Sequence, residues 1–431
     1  MPTAQEPGYS IPNTATPEPE TLPTTQDGRG WRAVVLNPRS IRVMLLKVAR
    51  ERSVRSALFC FTTSRAIVLL LFLLVPQIHF MIPSPEDGII PSNSSLHRIP
   101  VSHILSERLG RADAGWYMEI AKDGYTRRPF DTDNYYNWAF FPLYPLLLRV
   151  GENLTGEYAL TGMALSSLFL FAALILLHKT ATAFGLNDAD ADRTIFYLTV
   201  FPVSYFFSVP VTESLFLLLT VGSFYAAKRD SWWAAGILGA LASATRMTGV
   251  VLLPCLIVLY WETSRTWKPK AKLLPLLLIP TGVLAFMCFL YQITGNAFAF
   301  KDATITWGRE PGFFLTPLWT YLQDPMVLWI GWDMRVINFL GASTALVCGL
   351  VLLKRRKWAL GLFAVACMFI SLSSTLLQSQ ARYSMVIFPM YMVLAIAGRH
   401  PRIDQTIRTT LLFLFILMTL MFSFNVDAAL S

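Results

Sequence analysis

Residues 66–82 read AIVLLLFLLVPQIHFMI, and this block decides the fold class. The hydrocarbon core of a bilayer, about 30 Å thick, takes roughly 20 apolar residues of helix to cross. Peptide groups in lipid find no water, so a spanning segment must satisfy them internally, as a helix does. Similar blocks recur at 159–177, 194–209, 212–227, 273–293, 335–353, 358–376, 383–397 and 408–424. Hydrophobic residues make up 54% of the 431-residue chain and charged residues 15%, a balance far from that of an ordinary globular protein. The chain reads as an all-α polytopic membrane protein. Its net charge of +9 could suit nucleic acid, but the cations sit in short clusters between apolar blocks, as in KRRK at 354–357. Short loops rich in Lys and Arg stay cytoplasmic, so the charge reports orientation and no nucleic-acid partner is expected. The five cysteines (Cys60, Cys255, Cys288, Cys348, Cys367) lie in or beside apolar blocks, without metal-ligand spacing or a disulfide framework.

Upstream of the first block, residues 1–38 are rich in Pro, Thr, Glu and Gln and read as a disordered cytoplasmic tail. They lack the charged-then-apolar order of a signal peptide. Residues 39–65 interleave basic residues with Ile41, Val43, Leu45, Leu46, Val48, Leu58 and Phe61. That is the pattern of an amphipathic juxtamembrane helix on an anionic cytoplasmic leaflet. The transmembrane domain then fills 66–431, and with the amino terminus inside, 83–158 is a large first extracytoplasmic loop. Segment 231–261 has basic flanks at both ends, so it crosses an even number of times. Two short helices hinged near Arg246 and Gly249 satisfy this and put Arg246 near the outer face; an Arg in mid-span would be costly. The total is eleven crossings. A second external loop, 295–333, is aromatic like a membrane interface and holds Lys301, Asp302, Trp307 and Arg309.

The longest polar interruption is ERLGRADAGWYMEIAKDGYTRRPFDTDNYYNWAFFPLYP, at 107–145. It sets carboxylates among aromatics beside the membrane. If the segment is helical, Asp113, Trp116, Tyr117 and Ile120 share a face. Asp113 then projects beside an aromatic surface, where partial desolvation suits a carboxylate to general-base work. The plainer role is that Asp113 only caps the helix. Asp131-Thr132-Asp133 has the form that binds metal and a nucleotide diphosphate in soluble glycosyltransferases. Nucleotide sugars are absent outside the membrane, so an Asx turn is the expected role. DADAD at 188–192 reads as a solvated loop capping the next helix. Arg246, Arg309 and Arg382 fall near the outer face, where the planar guanidinium fork suits phosphate and snorkelling is the alternative.

These residues carry a family resemblance. RADAGWYMEIAKDGY followed by AFFPLYPLL resembles the pattern Arg-Trp-Asp-Ala, Ile-Ala-x-x-Gly-Tyr, Phe-Phe-Pro-x-x-Pro of the phosphatidylinositol-glycan class V (PIG-V) mannosyltransferases and their prokaryotic relatives. FPVSYFFSVPVTESLFLLL, ATRMTG and ARYSMVIFP are similar to later segments of that family, in the same order. Ala112 stands where the family has Trp, which puts the shape of the pocket beside Asp113 in doubt. The resemblance implies a GT-C fold with an extracytoplasmic active site and a polyprenyl-phosphate sugar donor, usually mannose. It implies no nucleotide, cofactor or metal, and an acceptor that is a glycolipid, a glycan or a protein, with room for a small partner subunit. Under it Asp113 is the catalytic base, and Arg246, Arg382 and Arg111 hold the donor phosphate. Trp116, Tyr117, Glu213, Phe141, Tyr144 and Trp307 contact substrate, with Glu213 orienting the acceptor or an Arg partner. Two other classes compete. A transporter or flippase would show paired ionisable residues at the bilayer midplane and internal repeats, and the sequence displays neither. A non-catalytic sugar-lipid binding subunit would keep Arg246 and Arg382 but tolerate loss of Asp113.

Overall fold

The computed structural model describes residues 51–81, 101–264, 270–330, 333–424 and 426. The expected tail, residues 39–50 of the juxtamembrane segment, the last residue of the 66–82 block and residues 83–100 of the first loop lie outside them. Among the described residues every regular element is helical, apart from isolated bridges at Pro311–Ser374 and Ile330–Asp333. In chain order the α-helices are α1 (Arg52–Met81), α2 (Val101–Leu109), α3 (Ala114–Asp123), α4 (Leu143–Thr155), α5 (Tyr158–Ala183) and α6 (Asp188–Thr199). Then come α7 (Glu213–Lys228), α8 (Trp232–Ser243), α9 (Leu252–Ser264), α10 (Thr281–Thr294), α11 (Ala299–Asp302) and α12 (Thr316–Gln323). The last are α13 (Arg335–Lys354), α14 (Trp358–Leu372), α15 (Gln380–Met385), α16 (Phe388–Ala397) and α17 (Pro401–Ser423).

Six stretches among the described residues are long and apolar enough to cross a bilayer: Arg52–Val75, Tyr158–Ala183, Met247–Ser264, Ala271–Thr294, Arg335–Lys354 and Pro401–Ser423. Shorter apolar helices lie at Trp232–Ser243, Trp358–Leu372 and Phe388–Ala397. The chain is therefore a multi-pass membrane protein. Residues 52–65, expected as part of a juxtamembrane helix, are continuous with the 66–82 block in α1 and belong to the first of these stretches.

The crossing expected at 194–209 does not form as one helix. α6 stops at Thr199, and 200–212 is a buried, mostly irregular stretch with a 3-10 turn at Ser204–Ser208. Pro202 and Pro210 each lack a backbone N–H and disfavour helix in the residue before them. Irregular backbone at membrane depth survives only inside protein, where other groups satisfy it. Here Arg65, buried on α1, donates to the Ser204 carbonyl at 2.8 Å and to Ser208 Oγ at 3.0 Å. The segment expected to cross at 383–397 is likewise split, into α15 and α16.

The hinge in 231–261 is present: α8 ends at Ser243, Arg246 is fully extended (φ −154°, ψ 144°), and a new 3-10 helix starts at Met247. Glycine is required there by packing. A Cβ on Gly249 would lie 2.4 Å from the Ala242 carbonyl carbon, and one on Gly282 2.3 Å from the Ala240 oxygen. Overpacking of this kind costs about 1–3 kcal/mol.

The described part of the first loop is more than polar chain. In α4, Leu146, Val150 and Leu154 are exposed at four-residue spacing, while Tyr144 and Leu148 are buried. An apolar outward stripe on a short helix is the signature of one lying in the membrane interface. α4 leads, through Gly156 in a left-handed turn, into the α5 span.

Candidate active site

A cavity of about 490 Å³ lies where Asp113 and α3, the start of α7, the hinge after α8, the 300–311 stretch and α15 converge. Asp113 holds the cap position of α3, yet its side chain makes no capping hydrogen bond. Ala112 before it has φ 53°, a left-handed conformation that costs a residue with a Cβ roughly 1–2 kcal/mol. Strained backbone of this kind clusters at functional sites. The Asp113 Oδ2 instead accepts from Arg382 Nη1 at 2.8 Å, with the Asp113 side chain 41% exposed and that of Arg382 5%.

Arg382 is committed on three nitrogens. Besides Asp113, its Nε and Nη2 donate to Glu213 Oε1 at 3.1 and 2.8 Å, and its guanidinium carbon stands 4.2 Å from the Phe206 ring centroid. Phe206 belongs to the irregular stretch that Arg65 braces. The helix bearing Arg382 is short but anchored. The Ala381 N–H donates to Asn338 Oδ1 at 2.7 Å, and Gln380 Nε2 to the Ser371 carbonyl at 2.8 Å. Glu213 is the first residue of α7 and is 0% exposed.

Arg246 is less committed. Its Nη1 is 3.2 Å from Glu213 Oε1 and donates to Thr212 Oγ1 at 3.4 Å. Its guanidinium lies 5.0 Å from the Tyr383 ring, which also carries Arg309 at 5.2 Å. Arg309 is fixed by Gln378 Oε1 at 2.6 Å and Tyr383 Oη at 2.5 Å. The cavity wall thus carries Arg246, Lys301, Arg309 and Arg382 against the carboxylates Asp113 and Asp302. Surplus positive charge on a partly enclosed wall favours an anionic ligand.

Of the expected site residues, Asp113, Tyr117, Phe141, Arg246, Trp307 and Arg382 meet on this wall. Four do not. Arg111 donates to the Phe422 carbonyl at 2.6 Å and lies over the Phe422 ring, tying the loop to the end of α17. Trp116 stacks on Phe140 and meets Trp307 edge-on, supporting the wall from behind. Tyr144 is fully buried, its hydroxyl 2.8 Å from Ser166 Oγ. Glu213 sits behind Arg246 and Arg382 and is off the wall. Lys301, Asp302, Thr245 and Gln378 join the wall without having been assigned a role from sequence. Lys301 and Asp302 were visible as charges in the aromatic segment 295–333, whereas Thr245 and Gln378 carry no signal beyond sitting next to an Arg or near one.

Asp131 makes the expected Asx turn, accepting from the Asp133 N–H at 3.1 Å, and pairs with Arg128 at 2.8 Å. The DADAD run is only partly solvated. Asn187 supplies the cap of α6, and Asp190 is fully buried, bound to Arg193 at 2.9 Å and Arg399 at 2.7 Å. A carboxylate buried among helix ends is held by such cations, since an unpaired charge there would be costly.

Residues 54–300 match the family model described as mannosyltransferase (PIG-V). The chain is similar to GPI alpha-1,6-mannosyltransferase 2 of Mus musculus, 24% identical over 318 residues, 68% of this chain and 61% of that protein. It is similar to the enzyme of the same name from Cricetulus griseus, 27% identical over 346 residues, 70% of this chain and 67% of that protein. The chain thus spans less than two thirds of the mouse protein's length. Among solved structures, it aligns with ArnT from Cupriavidus metallidurans bound to undecaprenyl phosphate at a TM-score of 0.49 and 13% identity, covering 86% of this chain and 73% of that one. It also aligns with the Archaeoglobus fulgidus oligosaccharyltransferase in the apo form at 0.44 and 11% identity, covering 85% and 56%.

Proposed function

The chain belongs to the mannosyltransferase (PIG-V) family, and from that premise we propose that it is an integral-membrane GT-C glycosyltransferase. It moves mannose from a polyprenyl-phosphate donor to an acceptor hydroxyl on the extracytoplasmic side. The observation that carries this reading is one cavity wall bearing Asp113 beside Arg246 and Arg382.

The chemistry follows from those groups. An acceptor hydroxyl gives its proton to Asp113 as its oxygen bonds to the anomeric carbon. The bond from that carbon to the phosphate oxygen breaks, and the electron pair leaves with the lipid phosphate, inverting the anomeric centre. A phosphate departs without being protonated, so one carboxylate suffices where glycoside hydrolysis uses two. Arg246 faces the charge that develops on the phosphate, the kind of preorganised stabilisation that carries much of enzymatic rate enhancement. Arg382, already engaged by two carboxylates, orients Asp113. Trp307 and Tyr117 supply the apolar walls that a sugar ring packs against.

The test is direct. Purified protein incubated with labelled polyprenyl-phosphate mannose and a membrane extract should transfer label to an acceptor, and should not do so from a nucleotide sugar. Retention of all label on the donor would leave a sugar-lipid binding protein. Sidedness has its own check, motivated by the basic loop at 354–357. Single cysteines near Ser94 and near Lys354, in a cysteine-free background, should react with an impermeant maleimide only at the first position. Labelling of the Lys354 loop from outside would invert the topology and move the cavity to the wrong face.

A further inference from the structure

Glu213 is buried behind the wall, and one of its oxygens does two jobs. Oε1 receives Arg382 Nε and Nη2 at 3.1 and 2.8 Å and lies 3.2 Å from Arg246 Nη1. Oε2 is buried without a hydrogen-bond partner among the described residues. The place of Glu213 in the first turn of α7 favours a charged carboxylate, since helix N-termini carry partial positive charge. Two guanidinium groups therefore share one anion. Both line the cavity, and one of them, Arg382, also holds Asp113.

We propose that Glu213 is a positioning residue that couples Arg246 to Asp113 through Arg382 and does not itself touch substrate, an inference that rests on Asp113 being the base. An anion in the cavity draws Arg246 outward. Glu213 Oε1 is then left to Arg382 alone, which locks the Arg382–Asp113 pair in one geometry. Donor binding in this way readies the base. The arrangement matters because a displacement of about 1 Å at a reacting group can cost on the order of 10²-fold in rate.

The test is steady-state kinetics with polyprenyl-phosphate mannose on Glu213→Gln and Glu213→Asp, each first checked for cooperative thermal unfolding. Glu213→Gln should lower kcat by roughly 10–100-fold. The donor KM should stay level or fall, because Arg246 has lost the anion that competes with phosphate. Glu213→Asp, which keeps the charge and shortens the reach, should lower kcat less, again with donor KM not raised. It carries the test if the Gln variant does not fold. In an Asp113→Asn background, Glu213→Gln should add less than about threefold, since residues that act as a unit are not additive. A donor KM raised about tenfold with kcat retained would make Glu213 a substrate-binding residue and overturn the proposal. So would full additivity with Asp113→Asn. An Asp113→Asn enzyme with normal turnover overturns the base assignment instead, so the two failures are distinguishable.

Discussion

Asp113→Asn should lose turnover by roughly 10²–10⁴-fold, the range a general base contributes, while still folding and binding donor. The substitution is nearly isosteric and removes only the proton-accepting charge. Arg382 keeps both its contacts to Glu213, so no buried cation is stranded. A capping role is already excluded by geometry, because the Asp113 side chain makes no capping hydrogen bond to α3. Asp123→Asn and Asp131→Asn are the controls. Neither lines the cavity, Asp131 is paired with Arg128, and both variants should stay near normal. The measurement is single-turnover transfer of labelled mannose alongside a donor-binding isotherm. Near-normal turnover in Asp113→Asn would sink the assignment and turn attention to Asp302, a second carboxylate on the same wall.

Donor binding should depend most on Arg246. Arg246→Ala should weaken it by about 1–3 kcal/mol, roughly 5–150-fold. Arg246→Lys should fall between Ala and the native residue, because the ammonium keeps charge but loses the planar fork. The effect should appear in binding with little change in fold. Arg246 holds Glu213 by a single contact at 3.2 Å, and Glu213 keeps Arg382 when it is gone. Isothermal titration with a short-chain polyprenyl-phosphate separates this from catalysis. Unchanged affinity in both variants would shift the phosphate toward Arg309 and Lys301 on the same wall. Arg382→Lys is a poorer probe of phosphate, because it disturbs the contacts to Asp113 and to buried Glu213 at once.

Sequence and structure divide the explanation unevenly. The 66–82 block and its repeats made the membrane class legible, since a helix is the cheapest way to satisfy peptide groups in lipid and apolar length is counted directly. The hinge near Arg246 was legible for a related reason, because basic flanks on both sides demand an even number of crossings. Asp113, Arg246 and Arg382 were readable as candidates because each is a charge beside an apolar block and stands in a segment that resembles the family pattern. The broken stretch at 200–212 was not readable. Its residues are apolar enough to pass for a span, and donors from other helices, Arg65 on α1 and Ser166 on α5, satisfy carbonyls of the irregular backbone there.

What the chain by itself determined was therefore which residues could not lie in lipid, and hence class, hinge and candidate charges. Hydrophobicity and helix period are local quantities, read along the chain. Which charges meet was decided by tertiary structure alone. Arg382 joins Glu213 across 169 positions and Asp113 across 269, and nothing local in either segment names its partner. The same holds for Arg111, as conspicuous as its neighbour Asp113, which turns away to the Phe422 carbonyl. Ion pairs and hydrogen bonds act over a few ångströms, so their partners are set by which helices pack together.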